Sequence, residues 1–252
     1  MLVKLPEYLV KTNFKNPSQA TAGPFQYAFA TKLHHFDWLK HNQPQFEAFN
    51  SVMTAQRREK GDDWFTYFPV EERLNYCQAT QEGDSLLVDV GGGLGTDLKA
   101  FWKQFPHIGG RLILQDTPDI LANFQDDGSN VEAMVHDFFT PQPIKGARAY
   151  YLRTVLHDWP DKEAKAILEN IVPAMAHSSK LLINEYVLPG TGVPLFPSLL
   201  DLSMMAIFSS WERTRQQWED LLSSAGLVVV KVWSPPTMNA THSSLLEARL
   251  CP

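Results

Sequence analysis

LLVDVGGGLGTD, residues 86–97, is the stretch on which the fold turns. Leu86 to Val90 has the composition of a buried strand, and the next five positions hold Gly91, Gly92, Gly93 and Gly95. Thr96-Asp97 then opens TDLKAFWKQF (96–105), which has helical spacing. A strand, a glycine turn and a helix in that order begin a β-α-β unit. Glycines let the backbone turn tightly and approach a ligand closely. The first N–H groups of the helix point into the same space. Dinucleotide folds space these glycines as G-x-G-x-x-G. Here Thr96 holds the last position and Gly95 comes one residue early, which weighs against a pyrophosphate. Taken alone, such a loop is equally a plain turn.

On either side of this stretch the chain has two textures. Residues 1–80 are aromatic, polar and rich in helix formers; residues 81–252 alternate β-branched runs with helical stretches. The runs after 86–90 are RLILQD (111–116), VEAMVHD (131–137), ARAYYLRTVL (147–156), KLLINEYVL (180–188), VVVKVWS (228–234) and SLLEARL (244–250). Between the early runs lie TPDILANF (117–124) and DKEAKAILENIVPAMA (161–176), with Asp161 placed to cap the latter. Such alternation predicts a parallel sheet covered on both faces. The last two runs are too close for a crossover and read as an antiparallel hairpin. The expected fold is therefore α/β: a seven-stranded, mostly parallel sheet with one antiparallel strand, behind an N-terminal helical segment. In that segment Phe25, Phe29, Leu33 and Phe36 follow a helical stripe. His34 and His35 are adjacent and do not share a helix face, so they are not read as a ligand pair. The segment 189–213 interrupts the pattern after a strand's carboxyl end, where open α/β sheets bind ligands; a buried core helix is the plainer reading.

Composition narrows the function. Of 252 residues, 44% are hydrophobic and 20% charged, with a net charge of −6. No Lys/Arg run exceeds two, so nucleic acid is not an expected partner. Cys77 and Cys251 build neither a disulfide framework nor a thiolate metal site. No run of about 18 apolar residues marks a membrane span, and MLVKLPEYLVKTN lacks a secretory core. A cytoplasmic enzyme or binding protein is expected, and the Asn239-Ala-Thr241 sequon is read as idle.

Asp89, Asp116 and Asp137 fall at the ends of the first three runs. An acid ending the second run is placed to accept from ribose hydroxyls. Asp137 with Phe138 is suited to an adenine amino group and ring. Each aspartate alone is equally a helix cap or a solvated turn; together with the glycine loop they point to a nucleoside. His157 closes the fourth run at the same sheet edge and is the side chain suited to accept a proton near neutral pH.

The ordered set LVDVGGGLG, Asp116, HDFF, YLRTVLHDWPD, NEYVLP and ERT resembles the cation-independent, S-adenosylmethionine-dependent O-methyltransferases of plant and fungal secondary metabolism, over essentially residues 1–250. The resemblance implies a Rossmann-like class I methyltransferase fold and an S-adenosylmethionine cofactor, leaving as S-adenosylhomocysteine. It implies that Gly91 and Gly93 lie against the methionine part, Asp116 holds the ribose, Asp137 and Phe138 meet the adenine, and Arg153 stands where the family has a cofactor-contacting Lys. His157 is then the general base, flanked by Glu185 and Glu212, with no metal. Asp158, Met204, Met205 and Phe208 face a small phenolic acceptor, and Trp159 is structural. Family members also carry an N-terminal winged-helix dimerisation domain of roughly a hundred residues. This sequence resembles the region C-terminal to that domain, so a homodimer through it is not assumed. Some fungal relatives use the cofactor for pericyclic or dehydration chemistry; that, or a silent cofactor-binding protein, is the alternative.

Overall fold

In the computed structural model the chain is described over residues 2–59, 63–74, 84–236 and 243–252. Cys77 and the Asn239 sequon lie outside the described residues. Four helices come first: α1 (Leu5–Lys11), α2 (Pro24–Phe29), α3 (His35–Lys40) and α4 (Gln43–Glu59), then a short α5 (Val70–Leu74). There follow β1 (Ser85–Val90), α6 (Thr96–Gln104), β2 (Arg111–Asp116), α7 (Pro118–Leu121), β3 (Val131–Val135), β4 (Ala149–Arg153), α8 (Asp161–Ile171) and β5 (Lys180–Glu185). The chain closes with α9 (Leu195–Phe208), α10 (Arg215–Ser224), β6 (Leu227–Trp233) and β7 (Ser244–Leu250).

The seven strands lie in the order β3-β2-β1-β4-β5-β7-β6. Only β7 runs against the rest, inserted antiparallel between β5 and β6, as the short link before it requires. β1 is an interior strand, paired with β2 and β4, which explains its nearly unbroken apolar run. Alternation along the strands feeds two cores, one on each sheet face. Val88, Ile113, Tyr150 and Leu152 meet Ile167, Leu168, Trp218 and Leu222 on one side. Leu87, Leu112, Leu114 and Tyr151 meet Trp64, Phe65 and Phe101 on the other. Each such buried Leu or Phe contributes about 1.5–3 kcal/mol relative to exposure.

Several sequence expectations need correction. β4 stops at Arg153 rather than near Leu156, because Thr154 turns to φ +48° and the next three N–H groups leave the ladder. His157 therefore sits on a 3-10 turn, Leu156–Asp158. β3 ends at Val135, so Asp137 lies two residues past it. α8 ends at Ile171, since Pro173 lacks the N–H to continue, and Val172–Ala174 tightens into a 3-10 turn. Asp161 does not cap α8; Pro160 stands at that position and Asp161 is the first helical residue, bonded to Arg213. The aromatic stripe is also broken: α2 ends at Phe29, with Ala30 left-handed at φ +49°, and Phe29 and Leu33 are exposed.

The N-terminal helices pack against the sheet edge, through α9 and Trp159 among others. α2 packs on α9, and Gly23 makes room for it, since a Cβ there would lie 1.8 Å from Ser209 Oγ. The His34 ring stacks on Trp159 with centroids 4.3 Å apart. Both His34 and His35 are pulled down to about 4 by burial and stay neutral at pH 7.

Candidate active site

The carboxyl ends of β1, β2, β4 and β5 converge on one edge. At β1 the chain turns back over β2, with Gly91 and Gly92 N–H both donating to Gln115 O at 2.8 and 3.1 Å. Gly91 and Gly93 adopt φ +72° and +64°, which L side chains rarely reach. A Cβ on Gly91 would come within 3.0 Å of Val155 and 3.6 Å of the Phe138 ring. The loop thus forms a cradle facing the start of the His157 turn on one side and Phe138 on the other. Asp116 ends β2 with Oδ2 accepting from Gly93 N at 2.8 Å and Oδ1 from Thr117 N at 2.7 Å. Asp137 is exposed and closes a turn by accepting from Phe139 N. Phe138 sits edge-on to Trp159 at 6.0 Å.

Arg153, at the end of β4, is committed to a partner: Nη1 donates to Asp97 Oδ1 at 2.6 Å. Asp97 also accepts from Tyr151 Oη at 2.8 Å, and Tyr151 Oη accepts from Asn184 Nδ2 at 3.0 Å. This buried network pins the first turn of α6, and so the glycine loop, to β4 and β5.

His157 is buried, with 7% of its surface exposed. Its Nδ1 lies 2.7 Å from Glu212 Oε1 and 3.7 Å from Glu185 Oε2, while Nε2 lies 3.5 Å from Asp158 Oδ1. The two glutamates do different work. Glu212 bonds the ring. Glu185 Oε1 accepts from the N–H groups of Val155, Leu156 and His157 at 3.0, 3.0 and 3.4 Å, capping the backbone that carries the ring. Burial pulls the imidazole down, but the carboxylates of Glu185, Glu212 and Asp158 outweigh it and raise His157 to about 10. Burial raises Asp158 to about 7 and also raises Glu185. The neighbourhood therefore stabilises an imidazolium. Atoms of His157, Glu185 and Glu212 lie within 4.8 Å of one another, a donor set of the kind that metals use.

Met204, Met205 and Phe208 lie on α9 beside this edge. Met204 and Phe208 are buried and Met205 is half-buried. Phe208 packs 5.2 Å from Phe36 and edge-on to His35 at 5.1 Å. Sequence reasoning gave no role to Arg213, Asp97, Tyr151, Asn184 or Asp201. The motifs WERT and GTD contain the first two, but nothing in their spacing reveals the partners.

A family model described as an O-methyltransferase domain matches residues 15–228. The chain belongs to that family. Demethylsterigmatocystin 6-O-methyltransferase of Aspergillus flavus is 40% identical over 227 residues, which cover 90% of this chain and 57% of that protein. A solved structure titled a pericyclic reaction enzyme superposes with a TM-score of 0.91 at 34% identity, covering 99% of this chain and 63% of the other. Another, OxaC in complex with SAH and oxaline, gives 0.87 at 31% identity, covering 99% and 62%. The chain thus spans about three-fifths of the length of these relatives. Its sheet is that of the class I methyltransferases, and S-adenosylmethionine is the cofactor of this O-methyltransferase family. The positive-φ glycines and the Asp116-braced loop fit that cofactor, since a nucleoside with an amino-acid tail needs close backbone approach and a strand-end acid. Among the described residues no helix is long and apolar enough to cross a membrane.

Proposed function

We propose that the chain methylates a phenolic hydroxyl of a small aromatic secondary metabolite, with His157 taking the hydroxyl proton and no metal involved. The observation that carries this reading is the buried Nδ1–Glu212 contact of 2.7 Å beside the Gly91 cradle. When bound, S-adenosylmethionine supplies a methyl carbon that is displaced in line from sulfur. Gly91 and Gly93 take its methionine part, Asp116 the ribose, and Asp137 with Phe138 the adenine. Arg153 acts through Asp97 on the same loop. Met204, Met205 and Phe208 supply an apolar wall for the acceptor, with Asp158 on its polar side.

A phenol titrates near 10, and His157 is raised to about 10. Proton transfer between such matched groups is nearly free of a thermodynamic penalty. Glu212 accepts from Nδ1–H, which leaves Nε2 to receive the phenolic proton and stabilises the imidazolium that results. The pH dependence follows with a definite sign. The neutral imidazole is a minor form at pH 7 and increases as pH rises. Log kcat/KM is expected to rise with pH above 7 as the neutral imidazole forms; a kcat/KM that falls as pH rises through this range contradicts the role given to His157.

A second reading keeps the cofactor and drops the transfer, as the pericyclic relative suggests. The two part in one experiment. The chain is incubated with S-adenosylmethionine, a panel of phenols and a chelator. Product heavier by one methyl, matched mole for mole by S-adenosylhomocysteine, supports transfer. A rearranged product of unchanged mass with the cofactor intact supports the other.

A further inference from the structure

We propose that Arg213 is a positioning residue that holds the His157 turn against the Glu212 loop and so fixes the hydrogen bond between them; this rests on the general-base reading of His157. The Arg213 side chain is fully buried, in the position next to Glu212. Its Nη1 donates to Leu156 O at 3.0 Å and its Nη2 to Trp159 O at 2.9 Å. These two carbonyls bracket His157 and Asp158. Nε and Nη2 both donate to Asp161 Oδ1, at 3.0 and 2.8 Å, at the start of α8. The guanidinium carbon lies 5.4 Å from the Trp211 ring centre and 5.2 Å from that of Trp218.

A planar fork with donors on both edges reaches two carbonyls and a carboxylate at once, which a lysine ammonium cannot do from one point. Stability alone does not explain the choice. Asp161 is 58% exposed on its side chain, and an ion pair with one buried member is weak evidence of net stabilisation against apolar packing. Geometry explains it better. Glu212 and His157 stand 55 positions apart in the chain, and each rides on a loop rather than in a strand. Glu185 holds the His157 turn from the β5 side, and Asp201 Oδ1 accepts from Glu212 N at 2.9 Å from α9. Arg213 joins the two loops directly. Its charge also draws the Glu185 carboxyl down, offsetting part of what burial and Glu212 do.

The test compares R213M, R213K, H157Q and the double variant H157Q/R213M. Cofactor binding is followed with S-adenosylhomocysteine by calorimetry, and the His157 ring by nitrogen and proton NMR. R213M is expected to lower kcat about 100-fold, the scale of an ångström-sized misplacement, with acceptor KM and S-adenosylhomocysteine Kd within about twofold. R213K recovers part of the rate, and the low-field Nδ1 proton of His157 moves upfield in R213M and less in R213K. In the H157Q background R213M adds no further loss, because coupled residues are not additive. A wild-type rate and an unshifted Nδ1 proton in R213M overturn the proposal while H157Q, if inactive, leaves the general base standing. Full activity in H157Q removes the general base itself. Should R213M not fold, R213K and H157Q/R213K decide, and losses that add overturn it.

Discussion

His157→Gln is expected to lower kcat by about 10²- to 10⁴-fold, the range that a positioned acid–base group contributes. S-Adenosylhomocysteine affinity should stay within about twofold. The separation follows from the geometry. The glycine cradle is braced by Gln115 O and Asp116, and α6 by Asp97, Arg153 and Tyr151. None of those bonds uses the His157 ring. Gln keeps a polar side chain of similar reach but cannot be protonated at neutral pH. A rate within threefold of wild type would show that the acceptor loses its proton to something other than His157, and the proposed function would lose its base.

Glu212→Gln is expected to cost nearly as much, about 10³-fold in kcat. Glu212 Oε1 lies 2.7 Å from Nδ1 and, as a carboxylate, can only accept there. That fixes the ring proton on Nδ1 and leaves Nε2 basic. A glutamine can present its amide N–H to Nδ1, placing the ring proton on Nε2, where it blocks abstraction. Removing the charge also removes one of three carboxylates that raise His157 to about 10. The ring should therefore titrate lower in the variant, and NMR titration of the labelled imidazole reads this directly. Glu185→Gln gives a useful contrast. Its Oε1 role toward Val155, Leu156 and His157 N–H is one an amide oxygen also fills, so the smaller loss is expected there. Equal losses at 185 and 212 would mean that charge alone, and not the tautomer, sets the rate.

What could be read from sequence divides along a physical line. Periodicity and turn chemistry are local, so LLVDVGGGLGTD located the glycine turn, and the short link between VVVKVWS and SLLEARL the antiparallel pair. A histidine closing a strand run located His157 to within one turn. Its exact support was not legible. Glu185 caps the turn from 28 to 30 positions away, and Asp97 meets Arg153 across 56. No window of 18 residues contains such a pair. The error at the end of β4 has the same origin: Thr154 and Val155 favour a strand, and the groups that hold the turn, the Glu185 carboxylate and the Arg213 guanidinium, arrive from far along the chain. The overrun of α8 has a local cause instead: the apolar spacing of 161–176 runs on past Pro173, where the helix stops. Arg213 stood in plain view in WERT, but a lone arginine beside an acid reads as a solvated pair until the fold buries it.

The stretch that carries α9 leaves and returns at one point. Leu188 N donates to Arg213 O at 3.0 Å, and Leu188 bridges Thr214. The ends of the excursion are therefore tied by backbone alone, whatever side chains lie between. Lengthening such a tethered loop costs little, about 0.6 kcal/mol for each doubling. The arrangement leaves the loop 189–194, ahead of α9, as the place where length can change. New acceptor shapes can be tried there while the knot at its base keeps the proton-handling machinery in register.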